Sequence, residues 1–241
     1  MIIQVSSLLP IVALLFATVR PVAANAEKAI FIAPDTVNIP LRKPSLDDLN
    51  LHVLTPSTWS IRANLTRVFP TESGDASARA FTWLLLDGLT PGQRYEFRVC
   101  WAAIQPTNFA MDVYELDAVW DTPELIQSLA EYASSRQPNS EGGQDPSLEG
   151  QQERKSSVLL LQVRAFAEYF TDNAALMKDP PPVLVDLILD PYLYNAVPRS
   201  LLPTIGYLVL VGLVAWSVAR SVASKLQSIA VTAETSTKKR N

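Results

Sequence analysis

One cysteine, Cys100, and one histidine, His52, stand in a chain of 241 residues. A disulfide within the chain is therefore excluded, and stability must come from packing even in an oxidising compartment. A histidine-based metal cluster is excluded too, and a nucleophile with its base would have to be built on His52 or without histidine. Cys100, inside an alternating apolar stretch, reads as a small buried hydrophobe rather than a reactive thiol. His52, in Asn50-Leu51-His52-Val53, reads as structural, at the start of a strand. Glycine is also scarce, 8 residues against 18 prolines, and no Gly-rich phosphate loop is present. No cofactor is expected. Basic charge is short as well: residues 25 to 200 carry 14 Lys and Arg against 23 Asp and Glu, net −9, so no nucleic-acid partner is expected.

What the chain does hold is apolar sequence at both ends. Ile2 to Val19 is uncharged, with Leu8, Leu9, Ile11, Val12, Leu14, Leu15 and Phe16 as its core, and small residues follow at Val22-Ala23-Ala24 and Ala24-Asn25-Ala26. This predicts a signal peptide over residues 1–24, cleaved after Ala24 or Ala26. Leu201 to Ala219 is a second charge-free run, long enough as a helix to cross a hydrocarbon core, with Tyr207 and Trp216 placed towards its ends. Residues 220–241 form a tail of five Lys or Arg against Glu234 alone, net +4. The positive-inside rule puts that tail in the cytosol and the main domain in the lumen, as a single-pass type I membrane protein. The chain ends Lys238-Lys239-Arg240-Asn241. Lysines three and four places from the carboxylate resemble a dilysine retrieval signal read by the retrograde coat, which narrows the location to the endoplasmic reticulum membrane.

Between the ends the pattern is β-rich. Residues 29–33 and 36–41 read as short strands, 42–50 as a connecting loop, and 59–69 as an extended region carrying Asn64-Leu65-Thr66, the one glycosylation acceptor. Phe81 to Leu86 and Tyr95 to Trp101 read as strands joined by Asp87-Gly88-Leu89-Thr90-Pro91-Gly92. In the second of these, Tyr95, Phe97, Val99 and Trp101 share a core face, and Glu96 and Arg98 point to water. The pattern Leu89-X-Pro91-X-X-X-Tyr95 resembles the tyrosine corner of fibronectin type III and immunoglobulin-like sandwiches. Phe109 to Val119 is predicted as a further strand, and Thr122-Pro123-Glu124 as the start of a helix running to Ser134. Residues 134–157, rich in Ser, Gln, Glu, Gly and Pro, are expected to be disordered. Val158 to Val163 and Val183 to Asp190 close the sandwich as strands, with Ala165 to Met177 of undecided type between them. The expected fold is mainly β: an immunoglobulin/fibronectin-III-like lumenal sandwich over 27–133 and 158–190, with one or two short helices. A juxtamembrane collar over 191–200 then leads into a membrane helix over 201–219. In that collar Tyr192, Leu193 and Tyr194 are placed to meet headgroups or another membrane protein.

Two stretches carry a family resemblance: Asp87 to Phe109 (DGLTPGQRYEFRVCWAAIQPTNF) and Asp186 to Tyr207 (DLILDPYLYNAVPRSLLPTIGY). Together with the layout of signal, domain and anchor, they resemble fungal proteins of the GPI-mannosyltransferase II co-activator family. The resemblance implies a non-catalytic accessory subunit whose partner is the polytopic enzyme that adds the second mannose to the GPI precursor. It assigns no catalytic or binding residue. The scattered acids Glu115, Asp117, Asp121, Asp186 and Asp190 read as solvated strand faces or loops rather than acid–base pairs. An alternative from another class is a cargo or quality-control adaptor cycling between endoplasmic reticulum and Golgi. A lumenal hydrolase built on carboxylates is disfavoured.

Overall fold

A computed structural model describes residues 24–40, 45–70, 81–136 and 153–238. The predicted signal peptide thus lies outside the described residues, except Ala24 at its end. The chain divides into two units, one up to Pro191 and one from Tyr192 onward.

The first unit is mainly β and consists of two sheets with few helices. One sheet is β1 (Ala24–Ile32), β7 (Arg94–Ala102), β10 (Val183–Leu193) and β4 (Ser60–Leu65) in that order, each antiparallel to its neighbour. The other is centred on β9 (Glu153–Ala167), which pairs antiparallel with β2 (Val37–Pro40), β6 (Phe81–Leu89) and β8 (Thr107–Tyr114). Two short parallel pairs complete it, β3 (His52–Leu54) on β6 and β5 (Arg67–Val68) on β9.

Side-chain period explains how the layers stack. On β7 the core positions are Tyr95, Phe97, Val99 and Trp101, and on β10 they are Val183, Val185, Leu187 and Leu189. These meet Leu84, Leu86, Leu159, Leu161 and Val163 from the second sheet in one core. The runs Trp83-Leu84-Leu85-Leu86 and Val158-Leu159-Leu160-Leu161 do not alternate, because β6 and β9 are buried on both faces. Their outer residues Trp83, Leu85, Val158 and Leu160 form a second core with Leu46, Val119 and Leu129, contributed by a 3-10 turn (Leu46–Leu49) and two helices, α1 (Leu116–Trp120) and α2 (Pro123–Arg136). The Trp83 indole donates to Ser128 Oγ at 3.1 Å, which fixes α2 on the sheet.

Four expectations change. The strand predicted over Phe109 to Val119 stops at Tyr114, and 116–120 form α1, which packs Val119 and, less deeply, Leu116 onto the second core three residues apart on one helical face. The stretch 134–157, expected to be disordered, is ordered at both ends. Residues 134–136 finish α2, and Glu153 to Ser156 pair with Pro40 to Val37, while 137–152 lie outside the described residues. The unsettled stretch Ala165 to Met177 completes β9 and then forms a short helix, α3 (Ala174–Lys178), whose first turn is capped by the Asn173 side chain accepting from the Ala175 N–H. The outer face of β7 is not uniformly wet, since Glu96 is only 4% exposed.

The second unit opens with a tight hairpin. Leu193 pairs with Val197 of β11 (Val197–Pro198), and the turn residues Tyr194 and Asn195 both have positive φ, 51° and 55°. The loop is three residues, Tyr194-Asn195-Ala196, closed by the Ala196 N–H donating to the Leu193 carbonyl at 3.0 Å, and its positive φ values suit Asn but strain Tyr. A 3-10 turn (Arg199–Leu201) leads into α4 (Leu202–Lys238), 37 residues without a break. Arg199–Ser228 is long and apolar enough to cross a membrane. Ser217, Ser221, Ser224 and Ser228 each donate back to a carbonyl three or four residues earlier, so their hydroxyls need no water.

Candidate interaction surface

The strand faces hold their charges in pairs. On the outer face of the first sheet, Glu96 and Asp190 are register partners on β7 and β10, and both are nearly buried, Asp190 at 6% exposure. Arg98 lies 3.3 Å from Glu96 and 3.4 Å from Asp190, and the Lys28 ammonium is 3.4 Å from the other Glu96 oxygen. Asp190 is therefore not the solvated acid expected from sequence; the fold compensates its burial with Arg98. Asp186 takes a two-pronged bond from Arg62 at 2.7 and 2.9 Å, nearer to water. At the β6–β7 turn Asp87 accepts from Arg154, Ser156 and the Gly88 N–H at 3.0, 2.7 and 2.7 Å, with Gly88 at φ 63°. Burial works against the Asp87 charge, yet these donors together hold its pKa below the ordinary carboxylate value. Acids committed to arginines in this way are structural clamps rather than proton donors. Among the described residues no cluster of His, Cys, Asp and Glu could hold a metal.

The residues singled out from sequence fall at separate places. Tyr95 is fully buried, and its hydroxyl accepts from the Thr90 N–H at 3.1 Å while donating to Gln93 Oε1 at 3.0 Å. Leu89 is buried beside it in the core, and Pro91 is exposed in the turn. Cys100 is half-buried, and burial, with Asp186 and Glu96 nearby, pushes its thiol pKa up. His52 opens β3, where burial and the Arg136 charge lower its pKa. Asn64, in β4, and Thr66, just after it, are both exposed, and among the described residues β4 pairs with β10 alone. In the hairpin Tyr192 is buried and Leu193 half-buried, leaving Tyr194 as the side chain wholly presented to solvent. Lys238 ends α4, and Lys239 lies outside the described residues.

Two features were not legible in sequence. Arg67 is buried with no carboxylate partner among the described residues, donating to the Pro181 and Pro106 carbonyls and to Thr107 Oγ1 and lying over the Tyr169 ring at 5.5 Å. It ties β5 to β8 and to the proline run, and nothing in Thr66-Arg67-Val68 distinguishes it from a surface arginine. An open apolar groove of about 380 Å³ lies between β2, the 3-10 turn and α1, lined by Val37, Ile39, Leu46, Leu49, Leu116 and Trp120. Its residues come from three distant parts of the chain, so only the tertiary fold assembles it.

No family model matches the sequence, and no solved structure matches it. Among curated proteins the chain is similar to GPI mannosyltransferase 2 subunit C167.09 of Schizosaccharomyces pombe, 22% identical over 128 residues. That alignment takes in 53% of this chain and 48% of the relative, so the chain spans about half the length of the curated protein it matches. The similarity supports the resemblance to the GPI-mannosyltransferase II co-activator family that the two sequence stretches carry.

Proposed function

We propose that this chain is a non-catalytic accessory subunit of an endoplasmic reticulum mannosyltransferase, supporting addition of the second mannose in GPI-anchor biosynthesis. The observation that carries the reading is the similarity to a protein named as a subunit of GPI mannosyltransferase 2. The geometry agrees: the strand-face carboxylates are engaged by arginines, and a β-rich unit is followed by one helix apolar enough for a membrane. In this reading the chain is type I, with a cleaved signal, the β unit in the lumen, α4 spanning the bilayer and Lys238-Lys239 read by the retrograde coat. The partner is the polytopic catalytic subunit, met through α4, the Tyr194 hairpin and one surface of the sandwich. Depletion of the chain in cells should make GPI precursors bearing a single mannose accumulate, and restoring it should clear them. Unchanged precursor profiles after complete depletion would sink the proposal.

A further inference from the structure

We propose that the loop 55–59 is a second membrane contact, which sets Trp59 into the headgroup layer of the bilayer that α4 crosses. This rests on the reading of α4 as a membrane span and names the part of the β unit that meets the same bilayer. The loop joins β3 to β4, and its end is pinned by the Leu189 N–H, which donates to the Trp59 carbonyl at 2.7 Å. Leu189 is followed three residues on by Tyr192, whose partner across the hairpin is Pro198, the residue before Arg199 and the apolar span. That is a path of about 25 Å, at about 3.5 Å per residue and about 5 Å between paired strands, so Trp59 stays within reach of the bilayer at any angle between the two units.

The chemistry of the loop selects lipid as its partner. Residues 53–61 carry no charged side chain, so no ion has to be desolvated. The turn also satisfies its own polar groups. The Thr55 N–H donates to the Thr58 carbonyl at 3.2 Å, the Thr58 N–H to Thr55 Oγ1 at 2.9 Å, and the Thr55 and Ser57 hydroxyls share a bond of 2.8 Å. Groups paired in this way lose little when water is withdrawn. Trp59 is 55% exposed, and no hydrogen bond or ring contact engages its side chain among the described residues. An indole combines an apolar face with one N–H, which favours the boundary between headgroups and acyl chains. Ile104 and Phe170 are more exposed, 89% and 84%. They follow β7 and β9 out of the opposite end of the sheets, since it is the start of β7 that pairs with Pro191 and the start of β9 that pairs with the end of β6.

The test places the purified full-length chain in phosphatidylcholine vesicles, with and without bromine on the upper acyl carbons as a short-range quencher of indole fluorescence. In a Trp120→Phe, Trp216→Phe background, the difference between the chain and its Trp59→Phe variant isolates the Trp59 emission, because Trp83 and Trp101 are buried. Brominated lipid should lower that emission about threefold and leave unquenched a tryptophan introduced by Phe170→Trp. Trp216, kept in a parallel chain that lacks Trp59 and Trp120, reports on the span separately. If Trp216 is quenched and Trp59 is not, the headgroup contact is wrong and the span stands. If neither is quenched, both are wrong. Equal quenching at positions 59 and 170 overturns the assignment to this loop. A Trp59 that is unquenched in lipid alone and shielded only when a co-purified enzyme is present contacts protein, which also overturns the proposal.

Discussion

Replacing Tyr95 by Phe removes one oxygen atom and leaves the rest of a buried ring in place, including its stacking on Phe31 at 6.0 Å between centroids. The loss is confined to two bonds, from the Thr90 N–H and to Gln93 Oε1. A net hydrogen bond contributes about 0.5–1.5 kcal/mol, and a donor left buried without a partner costs about 1–3 kcal/mol. Thr90 is exposed and Gln93 half-buried, so water can reach both, and the expected cost is about 1.5 kcal/mol. For a domain of this size that lowers the melting temperature by about 3–6 °C. In a Trp216→Phe background the four remaining tryptophans all lie in the β unit, so their fluorescence follows its unfolding in detergent without a signal from α4. Tyr95→Leu, which also removes the stacked ring, should cost about 3 kcal/mol or more. A Tyr95→Phe chain that melts with the parent would refute the inference that this hydroxyl clamps the turn between the sheets.

Other outcomes follow from the clamps and the chain ends. Asp87 has a folded pKa below its ordinary value of 3.8, so its stabilisation is present above that pH and is lost as pH falls through the folded value. Asp87→Asn should therefore cost about 1–3 kcal/mol at pH 7, a difference that shrinks as pH falls below 3.8 and through the folded value, as urea melts over a series of pH values would show. Asn64→Gln should abolish an endoglycosidase-sensitive mobility shift; a shift that survives would place a glycan elsewhere. Lys238→Ser with Lys239→Ser separates the two functional classes. A subunit held by its enzyme stays largely in the endoplasmic reticulum, whereas a cycling adaptor escapes forward and loses function.

Strand positions were legible where one face is core and the other wet, as in β7 and β10, because period two survives in Tyr95 to Trp101 and Val183 to Leu189. Pairing was not legible. The run Val158-Leu159-Leu160-Leu161 announces burial but cannot say that one face meets a sheet and the other two helices. Leu116 to Trp120 is too short for a period to separate helix from strand. Glu96 and Asp190 looked solvated because each is compensated from far along the chain, Glu96 by Lys28 at a separation of 68 residues and Asp190 by Arg98 at 92. The apolar helix needed only length and composition, and there sequence and structure agree; α4 simply continues past 219 to Lys238. The groove was invisible because its lining comes from three separate parts of the chain.

The most direct measurement is to purify the full-length chain from a gentle detergent, identify what accompanies it, and assay mannose transfer to a GPI precursor with and without that companion. The accessory-subunit account predicts one polytopic mannosyltransferase in the preparation, transfer by the complex, and none by the chain alone. Transfer by the chain alone, or a preparation with no such enzyme, would contradict it.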